Sequence, residues 1–192
     1  KGVSALRYAM RFIAELERLG RELEAAAPPD SPFDPPATTV NVGLLRAGTA
    51  RNIVAGSAAF DWEVRLSPPD DGARILERVE RFVQTELLPD MRAQFADARI
   101  ETEIEAAYPG LRFDPACPAL ALAKRLTDEA DHAVVPFGTD AGCFQRQGLP
   151  TVVMGPGSID QAHKPDEFIR IDDLAAALGF LDRLTQHLAA PS

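Results

Sequence analysis

Apolar residues recur every three or four positions from Val3 through Leu6, Met10, Ile13, Leu16 and Leu19 to Leu23. That spacing puts one stripe on a helix and predicts an amphipathic helix over 3–26. The stretch "PPDSPFDPP" (28–36) ends it, because proline cannot continue a helix and stiffens the loop. The period then changes to two. "TTVNVGLLRAG" (38–48) and "NIVAGSAAFDWEVRLSP" (52–68) read as strands, with Gly48 and Thr49 at the turn of a hairpin. Phe60, Trp62, Val64 and Leu66 alternate with Asp61, Glu63 and Arg65, so one face is buried and the other wet. "PPDD" (68–71) stops the strand and caps a second helix, about 72–95, with Ile75, Val79, Phe82 and Val83 as its stripe. Ile100, Thr102 and Ile104 alternate with glutamates in a further half-wet strand. The order αββαβ, with both helices free to cover one sheet face, predicts an α+β layer.

After "YPGLRFDPACP" (108–118), the best domain boundary, the pattern changes again. A helix is expected over about 118–131 and another over about 172–188. "AVVPFG" and "TVVMGPG" are short apolar runs ending in glycine, separated by the helical stretch "AGCFQRQGL". Such runs suit strands buried on both faces of a parallel sheet. The fold class is therefore α/β and α+β: an antiparallel sheet covered by two helices, joined to part of an α/β domain.

Composition narrows the function. At 192 residues and 46% hydrophobic the chain is a globular protein of one or two domains. A net charge of −9 argues against non-specific nucleic-acid binding, which needs a basic face. No apolar run reaches the roughly 18 residues that span a bilayer. Cys117 and Cys143 make no CxxC pair or disulfide framework, which fits a cytoplasmic setting. A chain that opens at Lys1 instead of Met is expected to be part of a longer protein.

Candidate chemistry gathers in three places. "GPGSIDQAHKPDE" (155–167) carries His163 in a loop after an apolar run, and ligands of α/β sheets bind at strand carboxyl ends. Gly155 and Gly157 allow close backbone approach, and their amides can hold an anionic group. Against this, a lone histidine commonly has a structural role. In "PFGTDAG" (136–142), Thr139 and Asp140 either cap the next helix or line the same crevice. Cys143 raises a Cys–His nucleophile, but no orienting third group is evident and a free cysteine is commonly just buried. Asn52 is a natural turn residue, and Arg65 lies on the wet face of its strand, where a plain surface arginine is the simpler reading. His132 and His187 fall at expected helix C-termini, where an imidazolium is favourable.

"TTVNVGLLRAGTARNIVAGSAAFDWEVR" and "PFGTDAGCFQRQGLPTVVMGPGSIDQAHKPDEF", with their spacing, resemble the M20 metallopeptidase family over nearly the whole chain. The form GPGSI-x-QAH-x-PDE is most like the acetylornithine deacetylase branch; desuccinylases, aminoacylases and carboxypeptidases are the related alternatives. The resemblance implies a catalytic α/β domain with an inserted dimerisation domain, a four-stranded sheet under two helices. It implies two Zn2+ ions per subunit, with Co2+ possible, bridged by a carboxylate and a water. One metal acidifies that water, a glutamate takes its proton, and both ions stabilise the oxyanion. By position, His163 is then a metal ligand, Asn52 and Arg65 contact substrate, and Thr139, Gly155 and Gly157 line the substrate pocket. The activity implied is hydrolysis of N2-acetyl-L-ornithine to ornithine and acetate, in arginine biosynthesis, by a cytoplasmic homodimer. The other metal ligands, the base and the first strand of the dimerisation domain are expected upstream of Lys1. Residues 1–107 are then the dimerisation domain and 108–192 the end of the catalytic domain. The chain alone is expected to be inactive and to bind zinc weakly, and the alternative from another class is a non-catalytic dimerisation or binding module.

Overall fold

The computed structural model describes residues 2–67, 70–127, 132–135, 138–162 and 164–190. The chain forms two compact units, one of 1–107 with 134–138 and the other of 108–133 with 139–192.

The first unit begins with helix α1 (Ala5–Ala25). Its buried face is Tyr8, Phe12, Leu16 and Leu19, whereas Met10, expected in the stripe, is 60% exposed. Strands β1 (Thr39–Ala47) and β2 (Ala58–Arg65) pair antiparallel, from Thr39 opposite Arg65 to Ala47 opposite Ala58. A bulge between Val42 and Leu44 shifts the register. Along β2 half-buried and exposed residues alternate as the sequence predicts. Phe60, Trp62 and Val64 pack with Val40 and Val42 against the helices, and the rings of Phe12 and Phe60 meet edge to face at 5.1 Å.

Asp71 caps helix α2 (Gly72–Phe82) by accepting from the Ala73 amide at 2.9 Å, and α2 runs into a π-turn (Val83–Leu87) and helix α3 (Leu88–Arg92). The widened turn has a local cause. Pro89 has no N–H and crowds the carbonyl one turn back, so the Leu88 amide bonds Val83 five residues earlier. Ile75, Val79, Val83, Leu87, Leu88 and Met91 complete the core against α1.

Among the described residues, one expected strand starts late and others are not formed. The second strand starts at Ala58 instead of 52, so the connection is a loop of residues 48–57 and not a tight turn. Residues 99–107 pair with nothing among the described residues: Ile100 reaches the core, but Ile104 is 60% exposed. The runs at 134–135 and 151–154 are also irregular, with Val153 and Met154 exposed, so the expected parallel pair is absent from the described residues.

The second unit contains α4 (Pro118–Thr127), α5 (Ala141–Arg146), a 3-10 turn (Ile159–Gln161) and α6 (Ile171–Ala189). Arg183 of α6 donates from Nε to the Leu126 carbonyl at 2.5 Å. No residue of α6 is buried, and Leu178 is 64% exposed. Gln145 of α5 holds the 109–113 segment like a strand partner: its Oε1 accepts from the Arg112 amide at 2.9 Å and its Nε2 donates to the Arg112 carbonyl at 2.8 Å. Cys143 is exposed, not buried, and Cys117 is buried with its thiol on the Thr151 carbonyl. His132 stacks on Phe113 at 4.8 Å with Nδ1 3.2 Å from Lys124 Nζ, and His187 lies 3.4 Å from Arg125. Each imidazole thus has a cationic side chain as its neighbour.

Candidate functional site

Arg65 is the last residue of β2, on the face turned away from α1 and α2, and its side chain is 60% exposed. Alternation brings Glu63 alongside it. Arg65 Nε and Nη2 both lie 3.1 Å from Glu63 Oε1, and the ladder sets Thr39 and Asn41 across from the pair. The segment before β1 folds over this end of the sheet. Phe33 and Pro35 wall a hollow of about 380 Å³ on whose floor Asn41, Glu63, Arg65 and Ser67 meet. Thr38 fixes the closed end: its Oγ1 accepts from the Ser67 amide at 2.8 Å and donates to the Ser67 carbonyl at 3.3 Å.

Asn52 sits in the loop at the other end of the hairpin. That loop is pinned, because the Ala5 amide donates to the Ala55 carbonyl at 2.9 Å and Gly48 takes a left-handed φ of 71°. Asn52 itself is exposed, as are Ile53 and Val54, and its amide has no hydrogen-bond partner among the described residues. Seven residues separate Ala58 from Arg65, about 23 Å of strand at ~3.3 Å per residue. Asn52 and Arg65 therefore stand at opposite ends of one hairpin.

In the second unit, Thr139 Oγ1 accepts from the Ala141 amide at 3.1 Å, so the hydroxyl caps α5, whereas Asp140 makes no side-chain cap. Gly138 falls in the first unit and Thr139 in the second. Gly155 is exposed, and Gly157 adopts a φ of 90° beside Ile169. Ser158 then caps the 3-10 turn by accepting from the Asp160 amide at 3.2 Å. His163 lies outside the described residues. Among the described residues, no hydrogen bond or ion pair joins Asn52 to Arg65 within the first unit, or any two of Thr139, Gly155 and Gly157 within the second. Nor do three His, Cys, Asp or Glu side chains converge there on a possible metal position, so the described residues do not by themselves form a metal centre. Glu63 and Asn41 are the residues that sequence reasoning passed over. Their signal was present: Glu63 is two positions before Arg65 on an alternating strand.

Residues 1–91 match the peptidase dimerisation domain of the M20 family. This part of the chain therefore carries an M20-type dimerisation domain. It is 32% identical over 97% of its length to an acetylornithine deacetylase of Myxococcus xanthus, and 27% identical over 97% to one of Edwardsiella ictaluri. It covers 47% of each, so the chain spans about half the length of these curated relatives. A crystal structure of aminopeptidase PepT from Bacillus cereus superimposes with a TM-score of 0.54 over 80% of this chain and 40% of that one. At 24% identity that likeness is one of fold.

Proposed function

We propose that these residues are the dimerisation domain (1–107) and the end of the catalytic domain (108–192) of a zinc-dependent amidohydrolase, a homodimer that hydrolyses N2-acetyl-L-ornithine to ornithine and acetate. One observation carries this: the M20 dimerisation domain is continuous with a segment aligned to acetylornithine deacetylases over 97% of the chain. In this reading Arg65 takes the substrate carboxylate, a role its forked guanidinium suits. The Asn52 amide reaches from its pinned loop to a substrate oxygen, and Thr139, Gly155 and Gly157 line the pocket. His163 is a zinc ligand, with the remaining donors supplied from outside the described residues. No helix among the described residues is long and apolar enough to cross a membrane, and the reading places the enzyme in the cytoplasm.

Acetate release from N2-acetyl-L-ornithine tests the proposal, using the longest native form of the protein beside the 192-residue chain, both with added zinc. Turnover is expected in the longer form alone, and His163→Ala there is expected to lower bound zinc as measured by mass spectrometry. No turnover in either form would favour a non-catalytic dimerisation module. Turnover with two tightly bound zinc ions in the 192-residue chain would overturn the assignment of this chain as only part of the site.

A further inference from the structure

The hollow on the outer sheet face holds two opposite charges side by side, and its chemistry is more specific than an arginine for a carboxylate. Arg65 spends Nε and Nη2 on a single oxygen of Glu63. Its Nη1 and the second oxygen of Glu63 have no hydrogen-bond partner among the described residues. Asn41 stands across the ladder from Glu63, supplying either a donor or an acceptor. Phe33 and Pro35 give an apolar wall. Ser67, 6% exposed, lines the same hollow, and its Oγ is buried with no partner among the described residues.

For a ligand bearing only a carboxylate, this is a poor site. The Glu63 carboxylate lies 3.1 Å from the guanidinium and repels a second anion brought to it. A ligand that also bears an ammonium group reverses the sign of that interaction, because the ammonium satisfies the open oxygen of Glu63 while the carboxylate takes the open edge of Arg65. We propose that this hollow binds an amino-acid derivative carrying both a carboxylate and a side-chain ammonium, with Glu63 selecting for the cation. The proposal rests on the reading of Arg65 as a substrate contact and adds Glu63 as the residue that sets specificity, favouring an N-acylated diamino acid over an N-acyl amino acid with a neutral side chain.

The test titrates the 192-residue protein, 15N-labelled at arginine, with N2-acetyl-L-ornithine and with N-acetyl-L-norvaline, which has the same side-chain carbons without the ammonium. The Arg65 Nε–H signal is assigned by its loss in Arg65→Lys. It is expected to move with both ligands, with Kd at least about tenfold lower for the ornithine compound. Glu63→Gln, at a half-exposed position where the fold is not at risk, should remove that preference, and Glu63→Asp should retain part of it. Equal affinities in the wild type, or a preference that survives Glu63→Gln, would overturn charge selection while Arg65 stays a carboxylate contact. A signal that moves with neither ligand would overturn both.

Discussion

Gly142, in the first turn of α5, has no space for a side chain: a Cβ built there overlaps the carbonyl oxygen of Pro109. The obstacle is backbone, and Gln145 holds that backbone in place through both hydrogen bonds to Arg112. Gly142→Ala must therefore push the 109–113 segment away from α5. Overpacking of this kind costs about 1–3 kcal/mol, and Gln145→Ala added to it should cost little more, since the segment is already displaced. Urea denaturation of the single and double variants checks this; full additivity would show that the two contacts act independently. Nothing local in "TDAGCFQRQG" announces this glycine, because its constraint comes from a residue more than thirty positions earlier. Thr139 shows the opposite case. Its place just before a helix already offered the capping role it takes.

At the scale of elements, α1 and α2 are joined on their outer edge by charge. Glu15 and Arg18 pair through two contacts of 2.7 and 2.5 Å, Arg18 also pairs with Glu22, and Arg78 of α2 reaches Glu22 at 2.5 Å. The Glu15 hydrogen bond raises Arg18 above the usual arginine value. Its hydrogen bond to Arg78 holds Glu22 below the ordinary carboxylate value. A carboxylate lowered on folding stabilises the fold above its unfolded value of about 4.3, and that contribution is lost as pH falls through the folded pKa. Glu22→Gln should thus lower the urea midpoint slightly at pH 7, with the gap to wild type closing at pH values well below 4; a gap that persists in acid would point to packing instead. The elements themselves were unequally legible. Helical stripes are local, so α1, α2 and α6 could be read from spacing, and β2 showed its alternation. A strand also needs a neighbour. Ile100–Ile104 has the alternation, but no partner among the described residues supplies its ladder. The apolar runs at 134–135 and 151–154 cannot be told by composition from extended loop. The helix expected over about 72–95 runs through the proline of "TELLPD" as read, but the stripe spacing gives no sign of the π-turn before it.

For the molecule as a whole, the proposed homodimer has a consequence that follows from the hairpin. One small substrate cannot touch both ends of a strand about 23 Å long, so Asn52 and Arg65 are expected to reach a given substrate from different subunits. In the longest native form, Asn52→Ala and Arg65→Ala should each remove most activity, since losing a positioning group costs about 10²-fold. Mixed one to one in a heterodimer, the two lesions fall on one site and leave the other intact, so about half of wild-type activity should return. A heterodimer as inactive as its parents would show that one and the same subunit supplies both residues to a site. The same geometry reaches into genetics. Two recessive alleles of one gene, each unable to support growth that depends on this reaction, should complement one another when their lesions lie at opposite ends of this hairpin. Alleles at the same end should not. A growth test on paired alleles would then order mutations along a strand without any structure being solved.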